Sequence, residues 1–408
     1  MAKQYPTIAA CDLGSSKMAF LLCEITPAGL EVVGFGQSLS QGIRKGSVVN
    51  IDAASAAMKE ASQEAQNISQ REIDLLIVGV SGSHVSIIPS HGMQPIRDKE
   101  IRKVDVDRVL EAASAVNIPL DREVIQVLPQ EFIVDGQDGV QQPIGMYGRR
   151  LEAHIQLVTG SVTSLQNLRR ALSKAELQPQ HFILNSLASA RAVLRPEEKQ
   201  SGVCLVDLGA ASTDILVFQD DMLRFVKSIS IGGLHLTNDL AVGLKVGLAE
   251  AEELKLHYAS VDQIDDEDEI EISSFNGLEN RKIERALLRT IVQPRIEEIL
   301  QMVRNELSKE GLDESLPTGV VLTGGGAALK GVLDVAQRVF RLPVRLGKPE
   351  RLGGLSEMIS APAFSTLVGL IQIGFEQNED LKFYTNLHGK TGFKKVHAQI
   401  AKWMKDFF

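Results

Sequence analysis

The chain has 408 residues, of which 44% are apolar and 23% charged, a globular balance that excludes a mostly disordered protein and leaves room for about two to three domains. Lys and Arg number 43 against 52 Asp and Glu, so the net charge of −9 excludes a general nucleic-acid coat. The N-terminal residues lack a signal-peptide pattern and no apolar window reaches the ~18–20 residues that span a bilayer. Cys11, Cys23 and Cys204 lie in apolar strand-like runs without the spacing of a disulfide framework or a zinc site. They are expected to be buried thiols of a cytoplasmic protein.

Taken in chain order, the first strong signal is residues 10–22, where Asp12-Leu13-Gly14 sits between two apolar β-type runs and predicts a hairpin turn. A strand at 30–37, a helix at 53–67 and a strand at 75–80 follow. About eighty further residues hold a helix at 104–116 and strands at 123–127 and 151–158, the size of an inserted small domain. A helix is predicted at 161–175. The pattern then restarts: residues 204–217 repeat the motif as Asp207-Leu208-Gly209, followed by a strand at 222–231 and a helix at 234–244. Residues 245–310 read as mostly helical, with seven acidic residues between Asp262 and Glu271 that predict a solvated loop or a landing site for a basic peptide. A strand at 319–322 closes the series. A spacing of 195 residues between Asp12 and Asp207 is too long for a solenoid and predicts two similar α/β domains. The polar stretch 376–392 reads as a linker.

Polyphosphate binding needs backbone N–H donors and a small residue that lets the backbone approach. Gly14, Ser15 and Ser16 supply this, and Lys17 adds a positive charge. Asp12 suits Mg²⁺ held through water, and Asp207 with Gly209, Ala210, Ala211, Ser212 and Thr213 offers the same chemistry from the second half. One Asp-x-Gly is commonly just a tight turn; two at matched positions are far more specific. The run Val320 to Gly331 reads as a strand, then Gly324, Gly325, Gly326 and Ala327, then a helix start whose N-terminus favours an anion. Glu252 and Lys255 fall three apart on one helical face, which alone describes a surface ion pair.

In this order the four elements resemble the actin, heat-shock-70 and hexokinase superfamily. The resemblance implies an α/β actin-like fold: two duplicated ribonuclease-H-like domains around a nucleotide cleft, each with an inserted subdomain. It implies ATP and Mg²⁺ as cofactors, phosphate hairpins facing across the cleft, and adenosine held by Glu252, Lys255 and Gly324 to Ala327. The helix after Gly232-Gly233 lines the cleft as well. Leu128-Pro129-Gln130-Glu131-Phe132, the 202–209 and 319–331 runs, and Gln293-Pro294-Arg295 narrow the resemblance to the FtsA family of bacterial cell-division proteins. That implies subdomain 1A at 1–83 and 161–200, an inserted subdomain 1C at 84–160, subdomain 2A at 201–235 and 306–375, and subdomain 2B at 236–305. It implies self-assembly into filaments, later division proteins docking on 84–160, and the C-terminal peptide of FtsZ received by 2B with Arg295.

Residues 393–408 form a separate signal. Phe393, Val396, Ile400, Trp403 (the one tryptophan), Met404, Phe407 and Phe408 recur at helical spacing, with Lys394, Lys395 and Lys402 on the polar face. From Lys390 onward five Lys and one Asp give +4, against −13 for the remainder. An ordinary terminal helix is one reading. A polar stretch before it, a Lys-rich face and four large aromatics favour an amphipathic helix lying on an anionic membrane surface, too short and too charged to span it. The chain is thus expected at the inner face of the cell membrane.

Two departures from the superfamily pattern bear on turnover. Ala210 and Ala211 stand where glycines are usual, and their methyl groups bias φ to negative values beside the phosphates. Ser186, in Asn185-Ser186-Leu187, replaces a Glu that orients water in heat-shock-70 proteins and cannot act as a carboxylate base. Slow hydrolysis is expected, with no catalytic carboxylate beside the site. A pilus-assembly scaffold of the PilM type is the alternative binding module, and a small-molecule kinase on the same fold the enzymatic one.

Overall fold

The computed structural model describes residues 5–26, 28–82, 84–262, 269–273, 280–313 and 315–381. They pack as two compact units, residues 5–13, 19–185 and 370–381 in the first and residues 14–18 and 186–369 in the second. The division at Asn185–Ser186 precedes the 200–201 position expected from the sequence.

In the first unit the apolar runs become β1 (Thr7–Leu13) and β2 (Lys17–Thr26), a hairpin closed at the first Asp-Leu-Gly turn, followed by β3 (Gly29–Leu39). A small ribbon of β4 (Ile43–Arg44) and β5 (Ser47–Val48) leads to α1 (Ile51–Ser69) and β6 (Leu75–Val80). Asn50 caps α1 by accepting the N–H groups of Asp52 and Ala53. Buried Ala54, Ala57, Ala61 and Ala65 give α1 a flat face, and glycines on β3 let it come close: a Cβ on Gly36 would lie 2.1 Å from the Ala61 carbonyl oxygen.

The insertion then runs β7 (Val85–Pro95), α2 (Lys103–Ser114), β8 (Arg122–Val134), β9 (Gln137–Val140) and β10 (Arg150–Ser161). Its antiparallel sheet, ordered β7-β10-β8-β9, packs against α2 through its own core, including Val106, Leu110, Phe132, Leu151 and Ile155. After α3 (Val162–Lys174), β11 (His181–Leu184) completes the first unit's main sheet, where five strands run β11-β6-β1-β2-β3. Ile8 pairs in parallel with Leu75, and His181 with Ile77.

Helices α4 (Asn185–Val193) and α5 (Pro196–Ser201) lead into β12 (Val203–Leu208), β13 (Thr213–Gln219) and β14 (Met222–Ile229). Next come α6 (Gly233–Leu244), α7 (Leu248–His257), a ribbon of β15 (Glu269–Ser273) and β16 (Asn280–Glu284), and α8 (Arg285–Lys309). The unit closes with β17 (Val320–Thr323), α9 (Val332–Phe340), β18 (Val344–Leu346) and the start of α10 (Ser365–Leu381), whose residues from 370 onward belong to the first unit. Its sheet is ordered β14-β13-β12-β17-β18: an antiparallel meander of three strands extended by two parallel ones. This repeats the strand order of the first unit, so the duplication read from the two Asp-Leu-Gly motifs is architectural. Cys11, Cys23 and Cys204 are free and buried, and burial pushes their thiols above the ordinary range.

Three expectations change. The stretch 245–310 contains the β15–β16 ribbon, in which Glu269 and Glu271 stand exposed on alternate positions and Lys282 pairs with Glu269 at 2.8 Å, so the end of the acidic run is strand rather than loop. Helix α10 runs to Leu381, into the 376–392 segment read as a linker. Strand β7 was not expected, since Pro89 and Gly92 interrupt its pattern; it lies on the edge of its sheet, where proline is tolerated. The amphipathic segment 393–408 lies outside the described residues.

Candidate functional site

The second unit builds its site on the β12–β13 hairpin. A four-residue loop, Gly209 to Ser212, sets Leu208 opposite Thr213 and Asp207 opposite Asp214. Directly opposed residues of antiparallel strands project to the same face, so two carboxyl groups share one side of the hairpin, an arrangement that is repulsive when both are ionised. Asp207 is buried, and burial raises its carboxyl above the usual range even though Ser189 Oγ donates to its Oδ2 at 2.6 Å. Burial pushes Asp214 up to about 7; the hydrogen bond from Ser228 Oγ, at 2.5 Å, opposes this, and the charge of Asp207 reinforces it. Asp214 is thus a carboxyl beside the site, which the sequence reading had not recognised.

The hairpin turn needs no left-handed residue: none of Gly209, Ala210, Ala211, Ser212 and Thr213 has positive φ, so alanine costs the loop nothing in backbone strain. The carbonyls of Gly209 and Ala210 accept the N–H groups of Gly233 (2.9 Å) and Leu234 (2.8 Å), so the start of α6 is sewn to the turn. A Cβ on Gly232 would fall 2.4 Å from the Gly209 oxygen. Thr213 is buried and donates to the Ile231 carbonyl. The first hairpin turn is also tight, with a Cβ on Gly14 only 2.7 Å from the Lys17 oxygen; Ser15 is half-buried and Ser16 exposed. The Lys17 ammonium lies 3.6 Å from the centroid of Phe364, a cation–π contact.

Glu252 and Lys255 do not form an isolated surface pair. Lys255 Nζ contacts Glu252 Oε2 at 2.7 Å and donates to Thr237 Oγ1 (3.0 Å) and the Gly233 carbonyl (3.3 Å), while Thr237 donates to Glu252. Their side chains are only 28% and 15% exposed, and the network ties α7 to α6 beside the Asp207 turn. The glycine run also differs from its expectation. Gly324, at φ +85°, leads into a 3-10 turn, Gly325–Ala328, and α9 begins only at Val332, so no α-helix N-terminus opens at the glycines. A Cβ on Gly324 would lie 2.3 Å from Asp207 Oδ1 and one on Gly326 2.9 Å from Leu208 Cβ. At Gly325 the nearest atom would be Ala363 Cβ at 3.9 Å, leaving open space. Ala327 is buried.

In the first unit, Asp12 Oδ1 accepts from Asn185 Nδ2 at 3.1 Å, and Asn185 Oδ1 is buried without a partner. Arg295 holds Asp239 with both arms of its guanidinium, at 2.6 and 3.1 Å, and also pairs with Glu298.

Among the described residues no three His, Cys, Asp or Glu side chains gather into a metal cage. A carboxylate beside a backbone turn, as Asp207 and Asp12 each provide, suits Mg²⁺, which keeps several waters and uses one or two carboxylates. Room over Gly325, with glycines elsewhere consumed by packing, suits a flat ligand. Asp207, Glu252, Lys255, Lys17, the 209–213 turn, Gly233 and Gly324 to Ala327 all fall in the second unit, and Asp12 in the first. Asp214, Ser189 and Thr237 were missed. The loop length places Asp214 opposite Asp207 from sequence alone, whereas Ser189 and Thr237 carried no local signal.

This duplicated architecture with paired Asp-Leu-Gly hairpins defines an actin-like protein. In fold the chain is similar to the PilM–PilN type IV pilus biogenesis complex (TM-score 0.66, 17% identity, 90% of this chain and 98% of that one) and to MreB 5 of Spiroplasma citri bound to AMPPNP (TM-score 0.58, 12% identity, 94% and 100%). A family model described as cell division protein FtsA matches residues 204–369, and one described as the SHS2 domain inserted in FtsA matches residues 82–159. Relatives named cell division protein FtsA are 39% identical in Pseudomonas aeruginosa (91% of this chain, 90% of that protein), 35% in Neisseria meningitidis (100% of both) and 32% in Escherichia coli K12 (98% and 96%). The chain belongs to the FtsA family of cell-division proteins. A pilus-type reading has only a shared fold behind it.

Two outcomes follow from this geometry. Gly324→Ala destabilises the fold by about 2 kcal/mol or more, through its positive φ and its contact with Asp207, whereas Gly325→Ala stays within about 0.5 kcal/mol in denaturant titrations. Asp214 holds its proton more tightly folded than unfolded, so its contribution is present below its ordinary value of 3.8 and is lost as pH rises through about 7. The melting temperature of Asp214→Asn relative to the unsubstituted chain therefore rises between about pH 4 and pH 8; a constant difference would contradict the assignment.

Proposed function

We propose that the chain binds ATP with Mg²⁺, assembles into filaments with copies of itself, and anchors FtsZ at the inner face of the cell membrane during division. The observation that carries the nucleotide part is the β12–β13 hairpin, where Asp207 and Asp214 share one face beside the 209–213 turn. Membership of the FtsA family supports the division role. Asp12 and Asp207 hold Mg²⁺ through water. Gly14 to Lys17 and 209–213 contact the phosphates, with Lys17 leaving the Phe364 ring to do so. Adenosine lies over Gly325, flanked by Gly324, Gly326 and Ala327, near Gly233 and the Glu252–Lys255 pair. The bound cation supplies charge neutralisation for the phosphates.

Hydrolysis is slow on this reading. Ser186 is buried and has no carboxyl to activate water. ATP acts chiefly as a conformational ligand.

The C-terminal peptide of FtsZ lies on the 236–305 region, where Val242, Leu248, Leu256 and Leu287 leave apolar surface exposed, Val242 at 78%. A peptide carboxylate reaching Arg295 has to displace Asp239. Later division proteins dock on 84–160, a layer with its own core. No described helix is long and apolar enough to cross a membrane. Attachment rests on Phe393 to Phe408 lying in the anionic surface, where each Lys contributes about 1 kcal/mol and filament formation multiplies weak single contacts.

Sedimentation with anionic liposomes, ATP and an FtsZ C-terminal peptide tests the whole. The intact chain is expected to carry peptide into the pellet, and a 1–390 truncation to leave it in solution. Trp403, with no other tryptophan to mask it, shifts its emission to the blue on lipid addition. Equal sedimentation of the two forms would remove the anchor. Single-turnover measurements are expected to give ATP hydrolysis slower than about 1 s⁻¹.

A further inference from the structure

Asp207 is fixed from two sides. Its Oδ1 lies against the Cα of Gly324, where even a methyl group would not fit, and its Oδ2 receives the Ser189 hydroxyl at 2.6 Å. Ser189 sits on α4, fully buried, and its Oγ is also 2.8 Å from Thr366 Oγ1 on α10. A serine hydroxyl has one proton. With that proton given to Asp207, Thr366 must be the donor to Ser189. The result is a directed relay, Thr366 to Ser189 to Asp207, that ends on the carboxylate.

We propose that Ser189 is a positioning residue for Asp207: it occupies one lone pair of Oδ2, stops the carboxylate rotating, and leaves its other lone pairs for the water shell of a bound divalent cation, with Thr366 holding Ser189 in turn. This rests on the reading that Asp207 holds Mg²⁺ with ATP. Water cannot substitute for the hydroxyl, since Ser189 is sealed from solvent. Hydrogen bonds that orient a metal-binding carboxylate typically matter 10–100-fold in metal affinity, roughly the range expected here.

The test is equilibrium binding of ATP to the full chain, with Mg²⁺ titrated and in parallel with EDTA. In the unsubstituted chain Mg²⁺ tightens ATP binding. Ser189→Ala is expected to raise the Mg²⁺ concentration at half-effect about tenfold or more, while affinity in EDTA changes less than about twofold. Thr366→Val shifts the half-effect less, because Ser189 keeps its proton for Asp207, and Thr366→Ser restores the original value. A purely structural role lowers affinity equally with and without Mg²⁺, and that result, or no shift at all, would overturn the proposal. If Ser189→Ala fails to fold by circular dichroism, Ser189→Cys, a near-isosteric weak donor, carries the same comparison. Absence of Mg²⁺-dependent ATP binding in the unsubstituted chain would instead refute the nucleotide reading, and is seen before any substitution is made.

Discussion

The second unit depends on keeping a carboxyl dry. Asp207 stands at the end of a fully buried strand, facing a second carboxyl across a hairpin, in surroundings that disfavour its charge. Burial of this kind is costly unless a hydroxyl, a cation or a proton compensates it. The neighbouring elements supply the compensation or the enclosure: Ser189 gives a hydroxyl, Gly324 brings the backbone against the other oxygen, and α6 is tied to the turn carbonyls so that the loop cannot drift.

Glycines in such a motif are commonly credited to ligand access. Here most of them serve the protein itself. Gly232, Gly324 and Gly326 admit backbone or side-chain atoms where a Cβ would collide, and Gly14 and Gly209 tighten turns. Only Gly325 in the triplet faces open space. This explains how the loop after Asp207 tolerates Ala210 and Ala211: its φ values are negative throughout, so the extra methyl groups are a question for the ligand and none for the fold.

The duplicated sheet was legible because its central strands are covered on both faces and therefore read as apolar runs, as in Val203–Val206 ahead of Asp207. The 75–80 strand matched to the residue for the same reason. Legibility failed where burial is one-sided or the contacts are remote. Strand β7 carries Pro89 and Gly92 on a sheet edge, and α10 continues into a polar segment that composition alone marks as a linker. Within the site, Asp207 and Lys255 were visible as motif members. The Ser189 and Thr237 hydroxyls were not, because a buried serine or threonine looks like any other small residue until the fold brings its partner from 15 or 18 positions away.

The insertion has a geometric property with wider reach. Its first and last strands, β7 and β10, pair along their whole length, with Val85 opposite Gly160. The chain therefore leaves the host sheet and returns to it through neighbouring points, one strand spacing apart. A module mounted on so narrow a stem imposes no strain that scales with its size. Lineages are free to rebuild its outer surface, or to exchange it for another fold with the same stem, while the strands that carry Asp12 and Asp207 keep their register. Change on the outer surface of the insertion is thereby uncoupled from the packing of the strands that carry the two Asp-Leu-Gly turns.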